Sequence, residues 1–256
     1  MIKKRIFWAL LVLCFLFPGN KSMSFSGTEA DTEIHEQIVK EALYDTVCDA
    51  NLKIIAQGCV AQDKKGSEAA SDSQRHFADG NIVKSLAYVD REKRKLLNYA
   101  QSADTDERAR ARVLHHFGLM IHPLQDFYSQ SNYLELKVQE NGGKDPYDIE
   151  LADWTVIQAQ AQRGSCNLSF KGVDKSTPST EEGQKKIGDS TYFKVARGLA
   201  IRETQRQWNL LEAMLRNRIG SSRSAAVISA LKKSTCSTKV ANEVLNDEKP
   251  DLVPEI

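Results

Sequence analysis

The stretch VLHHFGLMIHPLQDFYSQSNYLEL, residues 113–136, decides the fold. Its apolar residues recur at helical spacing, and His115, His122 and Asp126, separated by seven and four residues, fall on one helix face. Imidazole and carboxylate groups on an otherwise apolar face are typical of a metal site, although satisfied interior polar groups explain them equally well. The stretch therefore predicts a half-buried helix that carries candidate metal ligands.

Helical periodicity continues through most of the chain. It predicts helices over residues 32–47, 51–62, 81–101, 104–120, 190–218 and 225–233. Strand signals are scarce, and residues 164–189 predict a loop, with a small hairpin near residues 167–173 or a mobile cover over the site. The sequence therefore predicts an all-α fold, a single multi-helical domain with long loops over residues 25–245, followed by a flexible tail at residues 246–256.

The first 24 residues have the layout of a secretory signal peptide. A basic start precedes an apolar run at residues 6–17, which is too short to span a bilayer and is followed by small polar residues. A lipoprotein anchor at Cys14 is disfavoured because Leu13 is too large for the usual site. The sequence predicts a cleaved signal peptide over residues 1–24 and a secreted or periplasmic protein.

Composition bears on the choice of partners. The chain has 41% apolar and 27% charged residues, as soluble globular proteins do. Its net charge of +1 falls to about −3 once the four cationic residues of the signal peptide are removed. A mildly acidic chain lacks the electrostatic basis for gripping nucleic acid, so no stable nucleic-acid complex is expected. The oligomeric state is left open.

Four cysteines follow the signal peptide: Cys48, Cys59, Cys166 and Cys236. An even number in an exported chain predicts two disulfides, for which three connectivities exist. The preferred pairing joins Cys48 to Cys59 and Cys166 to Cys236. The spacing lacks the CxxC pairs of a structural zinc site.

Glu203 lies on the apolar stripe of the helix predicted over residues 190–218. A carboxylate that faces a core has to be paired, protonated or bound to a cation. A buried ion pair with an arginine such as Arg112 meets this requirement without a metal. Glu203 is therefore either an ion-pair partner or a candidate site residue.

The central stretch also resembles a known family. LHHFGLMIHPLQDFYSQSNYLEL resembles the LH(T/P)LQDFYSHSN(Y/W)VEL signature of the HET-C-like proteins, which are similar to the zinc-dependent phospholipase C and P1 nuclease superfamily. Four other segments of this chain resemble family segments and occur in the same order: IHEQIVKEAL, IIAQGCVAQD, QRHFADG and ARGLAIRETQRQW. The resemblance implies the all-helical phospholipase C/P1 nuclease fold, which holds up to three metal ions.

Carried over by position, the resemblance implies five metal ligands: His35, Asp63, His76, His122 and Asp126. Zinc is the foremost cofactor that it implies, and calcium, manganese or magnesium compete because the site is rich in oxygen donors. Asp126, one helical turn from His122, would be the bridging or terminal carboxylate. Asp126 and Glu203 are the candidate catalytic residues.

The chain departs from the signature at Gln130, where the family has a histidine, and its five histidines all precede Pro123. The resemblance therefore implies a reduced site of one or two metals, completed by Glu203 or His115. The residues expected to substitute for a missing ligand, or to orient one, are His115, Gln130, Asn132 and Glu135. Pro123 removes a backbone donor inside the helix and predicts a kink beside His122.

The function that the resemblance implies is an exported, metal-dependent phosphodiester hydrolase. Its substrates would be phospholipid head groups, reached through transient contact with a membrane surface. A non-catalytic interaction or toxin-type protein with a degenerate metal site is the alternative. A P1-like single-strand nuclease is the third reading, weakened because no patch of aromatic side chains beside basic ones is evident in the sequence.

Overall fold

The computed structural model describes residues 29–142 and 148–247, so the predicted signal peptide and most of the predicted tail lie outside the described residues. These ranges contain eleven α-helices: α1 (Glu29–Leu43), α2 (Asp49–Val60), α3 (Glu68–Ser71), α4 (Ile82–Tyr99), α5 (Glu107–Gln130), α6 (Tyr133–Glu140), α7 (Trp154–Gln162), α8 (Glu181–Gln184), α9 (Tyr192–Ile219), α10 (Ser221–Lys233) and α11 (Thr238–Asp247). Short 3-10 turns lie at Ala61–Asp63, Ser73–Arg75 and Ala78–Gly80. The prediction of an all-α single domain is confirmed.

The centre of the fold is α5. Of its 24 residues, 21 are buried, because α2, α4 and α9 pack around it and α11 also contacts it. A helix that is buried on nearly all faces forms the core itself rather than one of its walls. Asp106 caps the start of the helix, because its side chain accepts hydrogen bonds from the backbone N–H groups of Arg108 and Ala109. The helix continues through Pro123. Polar side chains on α5 are therefore enclosed.

Two glycines allow α2 and α5 to approach closely. A Cβ atom on Gly118 would lie 2.2 Å from the carbonyl oxygen of Ile55 and 2.8 Å from the backbone nitrogen of Cys59. A Cβ atom on Gly58 would lie 2.5 Å from the carbonyl oxygen of His115. This contact between backbones fixes the end of α2, and with it the Ala61–Asp63 turn, beside α5.

The long loop differs from its prediction. The hairpin predicted near residues 167–173 is wrong: the antiparallel pair consists of β1 (Lys186–Ile187) and β2 (Ser190–Thr191), joined through Gly188 at φ 55°. Glycine tolerates this left-handed backbone without strain, which places the turn there.

The C-terminal region also holds more structure than the periodicity indicated. The tail predicted to start at residue 246 begins inside α11, whose last two residues are Asn246 and Asp247. Within the described residues, none of the helices combines the length and the apolarity that crossing a bilayer requires.

Replacing Gly118 with alanine should lower the free energy of unfolding by about 1–3 kcal/mol, because the added methyl group overlaps the backbone of α2. Gly198, in the middle of α9, is the matched control, since a Cβ atom there meets nothing within 4 Å. Gly198→Ala should stabilise the protein by up to about 1 kcal/mol through helix propensity. Urea denaturation followed by circular dichroism measures both; equal midpoints for the two variants would contradict the close packing of α2 on α5.

Candidate metal centre

Five side chains converge in the core and form what is called here the His/Asp cluster. His35 comes from α1, Asp63 ends the 3-10 turn after α2, His76 follows the Ser73–Arg75 turn, and His122 and Asp126 lie one turn apart on α5. Their exposed fractions are 0–2%. The structure thus brings together the five positions predicted as metal ligands.

Four donor atoms of the cluster lie close together and are called here the four-donor set. His122 Nε2 lies 3.0 Å from His76 Nδ1, 3.2 Å from Asp126 Oδ2 and 3.5 Å from Asp63 Oδ1. His76 Nδ1 lies 3.1 Å from Asp126 Oδ2 and 3.7 Å from Asp63 Oδ1. A tetrahedral zinc ion with bonds of about 2.0–2.2 Å separates its ligand atoms by about 3.3–3.6 Å. These five separations bracket that spacing, and Asp63, His76 and His122 form a group that could hold a metal ion.

The other oxygens of the two carboxylates face His35. His35 Nε2 lies 3.2 Å from Asp126 Oδ1 and 3.7 Å from Asp63 Oδ2. Asp63 and Asp126 thus each offer one oxygen to the four-donor set and one to a second set with His35. The described residues contain a donor arrangement suited to two neighbouring ions.

The second ring nitrogen of each histidine meets an acceptor outside these donor sets. His35 Nδ1 lies 2.6 Å from Gln125 Oε1, His76 Nε2 lies 3.1 Å from the carbonyl oxygen of Ala69, and His122 Nδ1 lies 3.8 Å from Cys59 Sγ. A proton on each of these nitrogens leaves the lone pair of the other nitrogen directed into the cluster. Metal-binding histidines are commonly oriented in this way.

Gln125 and Cys59 are the supporting residues that the sequence did not identify. Gln125 Nε2 donates to Thr204 Oγ1 at 3.0 Å, and the Thr204 hydroxyl donates to the carbonyl oxygen of Ala200 at 2.9 Å, so Gln125 Oε1 is held toward His35. Cys59 also forms a close donor group with His35 and His122. The spacing of Gln125, three residues after His122, was the one available signal for its role.

Burial and charge act against each other in the cluster. Burial lowers the pKa of His122, but the carboxylates of Asp63 and Asp126 outweigh it and raise that pKa to about 10. Burial raises the pKa of Asp126, yet the imidazoles of His122, His35 and His76 bring it below its usual range. Neither oxygen of Asp63 accepts a hydrogen bond from the part of the chain that the structure describes, and burial raises the pKa of this carboxyl group. The cluster therefore attracts positive charge, as protons on imidazole or as a metal ion.

Glu203 lies in a separate polar network. Its carboxylate accepts hydrogen bonds from the Tyr128 hydroxyl at 2.8 Å, Trp154 Nε1 at 3.0 Å and Gln207 Nε2 at 2.7 Å, and it pairs with Arg206. Four donors therefore satisfy a group that is 1% exposed. The arginine expected as its partner, Arg112, instead lies over the Tyr99 ring. Its catalytic role stays a prediction without a geometric basis.

The residues predicted to support or replace ligands lie at several places. His115 packs against Gly58 and lines a cavity, and Gln130 is buried at the last residue of α5. Asn132 Oδ1 accepts a hydrogen bond from the backbone nitrogen of Ser169 at 2.8 Å. Glu135 pairs at 2.9 Å with the buried Lys175, so these last two residues hold the long loop.

Neither of the preferred disulfides is formed in this structure. Cys48, Cys59, Cys166 and Cys236 are all free thiols. Cys59 is buried against His122 and Gln125, which commits its sulfur to the cluster. Burial and this polar contact explain Cys59 without a partner cysteine.

The fold and the site define an all-helical domain with an enclosed centre of three imidazoles and two carboxylates. Residues 32–153 match the family model described as the VWA7 N-terminal domain, a range that spans just under half of the chain and includes the whole His/Asp cluster. No curated protein and no solved structure matches this chain.

The resemblance to the HET-C-like and phospholipase C/P1 nuclease families is therefore wrong. The family match is to the VWA7 N-terminal domain. The quoted signature is carried mainly by one buried helix, α5, and an apolar helix with two ligands one turn apart is compatible with more than one family. The ligand positions now rest on their geometry in this structure.

Replacing Gln125 with leucine should weaken the binding of a metal ion at the His35 donor set by about 10–100-fold, because the ring loses the acceptor that orients it. Binding of an ion at the four-donor set should be unchanged. A two-site zinc titration against a chelator measures both constants, and Gln37→Leu, an exposed change on α1, is the control. Unchanged binding at both sites in Gln125→Leu would contradict the orienting role.

Proposed function

We propose that this domain binds divalent metal ions at the His/Asp cluster, zinc foremost. The observation that carries the proposal is the 3.0–3.7 Å spacing of Asp63 Oδ1, His76 Nδ1, His122 Nε2 and Asp126 Oδ2. Two imidazoles and two carboxylates at this spacing suit zinc, whereas calcium and magnesium prefer six or more ligands, mainly oxygen. Manganese is the nearest competitor.

The second donor set supports a second ion. His35 Nε2 and the remaining oxygens of Asp63 and Asp126 would supply three ligands, so that each carboxylate would contact both ions. One divalent ion already balances the charge of two carboxylates, so the second ion rests on the donor geometry alone. The second position is the weaker one, because it has fewer protein donors.

The activity proposed for the two-ion centre is hydrolysis of phosphodiesters. When bound, paired ions stabilise the charge that develops on the attacking and leaving oxygens. Asp63 and Asp126 supply the bridging oxygens, and Gln125 orients His35. Phospholipid head groups are the proposed substrates of a secreted or periplasmic protein with transient membrane contact, and single-stranded nucleic acid is the other candidate.

The second candidate function is a non-catalytic interaction protein with a structural metal centre. The specific observation in its favour is burial, since all five cluster residues are at most 2% exposed. Structural zinc sites are closed by protein ligands, whereas catalytic sites keep a position open for water or substrate. In this case the metal stabilises the domain, and another surface carries the function.

Protein purified without chelator should retain one to two zinc ions per chain, and removing them should lower the melting temperature, because the cluster then holds uncompensated carboxylates. His122→Gln should lose the ions and the chelator response together. His115→Gln, on the same helix but outside the cluster, is the matched control and should keep both. Elemental analysis and differential scanning calorimetry test this; equal metal content in the two variants would refute the assignment.

The metal-loaded protein should cleave a phosphodiester, and Asp126→Asn should reduce cleavage to background because a bridging oxygen is lost. Bis(4-nitrophenyl) phosphate, phosphatidylcholine vesicles and single-stranded DNA are the three substrates to compare. Stoichiometric zinc with no cleavage of any of them supports the structural centre. Cleavage that persists in Asp126→Asn would exclude this centre as the catalytic one.

A further inference from the structure

A second concave site lies away from the His/Asp cluster. A cavity of about 880 Å³ is lined by residues of α2, α4, α5, the end of α11 and the segment of residues 61–75. None of the five cluster residues lines it. Its volume is in the range of about 300–1,000 Å³ that is usual for sites of small ligands.

Cationic side chains dominate the lining. The cavity is bordered by five cations and three carboxylates: Lys64, Arg75, Arg91, Lys95 and Arg112 against Glu68, Glu92 and Asp247. Glu92 is 2% exposed, and its carboxylate lies 2.7 Å from His116 Nδ1, 3.3 Å from Lys95 Nζ and 3.8 Å from Arg91 Nε. The lining keeps an excess of positive charge, because its five cations outnumber its three carboxylates.

Three of the arginines are held by tyrosine rings. The guanidinium carbons of Arg75 and Arg91 lie 5.1 Å and 5.0 Å from the centroid of the Tyr88 ring, and that of Arg112 lies 5.0 Å from the centroid of the Tyr99 ring. Stacking uses the face of a guanidinium and leaves its N–H edge for other partners. For Arg75 that partner is Asp72, whose Oδ2 accepts a hydrogen bond from Arg75 Nε at 3.2 Å. Because Tyr88 is 1% exposed, its ring is a fixed support for two of the three.

From this arrangement we infer that the cavity binds a small organic phosphate, with the phosphoryl group at Arg91 and Arg112, since Arg75 is already paired with Asp72. Arginine edges match phosphoryl oxygens in pairs, which a fixed guanidinium does at low entropic cost. The organic part has apolar wall available at Val60, Leu119 and Leu245. The inference is independent of the metal centre, whose ligands lie outside the cavity.

The probe is glycerol 3-phosphate, measured by isothermal titration calorimetry on the full metal-loaded chain. It should bind at one site per chain, and Arg91→Gln combined with Arg112→Gln should weaken binding at least tenfold. Arg163→Gln removes one arginine charge from the exposed end of α7 and should leave binding unchanged. Zinc content and circular dichroism of each variant should match the wild type, since none of these arginines belongs to the cluster.

Glutarate, with the same charge and no phosphoryl group, separates phosphate recognition from attraction of any dianion. It should bind at least tenfold more weakly than glycerol 3-phosphate. Equal binding of the two anions would overturn the choice of ligand. Absence of binding to the wild type, or equal binding to the double arginine variant and Arg163→Gln, would overturn the site itself.

Discussion

The rest of the structure depends on the burial of two carboxylates, Asp63 and Asp126, beside three imidazoles. Taking a carboxylate out of water costs several kcal/mol unless opposite charge and hydrogen bonds compensate it. Three imidazoles within 3.1–3.2 Å of Asp126 lower the pKa of its carboxyl group, whereas Asp63 has none closer than 3.5 Å and its pKa is raised. The cluster therefore favours added positive charge, as protons on its imidazoles or as a metal ion.

Several local features of the chain serve this arrangement. Gly58 and Gly118 let α2 lie against α5, which sets Asp63 at the end of α2 opposite Asp126. Phe77, directly after His76, has φ 51°, a left-handed conformation that is costly for a bulky residue. Its ring packs against those of Phe127 and Trp154, with centroids 5.5 Å and 6.0 Å away, and this packing offsets the strain while turning His76 inward.

The sequence predicted the part of this fold that periodicity controls. Apolar spacing identified α5, α4 and α9, because long helices that bury one face or more repeat that face every three to four residues. It did not identify α11, which buries only Ala241 and Val244 toward the core. Periodicity did not predict the structure of the loop before β1 either, since Lys175 in that loop is buried against Ser131 and Glu135, about 40 residues away in the chain.

The residues of the cluster were not predicted from periodicity. His35, Asp63, His76, His122 and Asp126 were named through a family resemblance that the comparison contradicts, yet the five side chains meet in the structure. Each of the five residues lies in or beside an apolar or helical segment, where a charged or imidazole group needs a polar partner. This need for partners brings the five side chains together, and it does not depend on which family the chain resembles. Gln125 and Cys59 carry no such signal, because an amide or a thiol in a core is ordinary.

The sequence also did not predict the arginine-lined cavity, because contacts between separate elements are not visible in local spacing. Arg91 and Tyr88 lie three residues apart on α4, but Arg75 meets Tyr88 from the Ser73–Arg75 turn and Arg112 meets Tyr99 across the packing of α4 on α5, so local spacing does not reveal the group. The Ala61–Asp63 turn joins this cavity to the cluster. Gln62 lines the cavity and is held by Leu119 and Tyr88 at 2.7 Å and 2.8 Å, while the next residue, Asp63, faces the three imidazoles. The backbone that positions the least compensated carboxylate is therefore fixed from the cavity side, so the wall of one site is a support of the other.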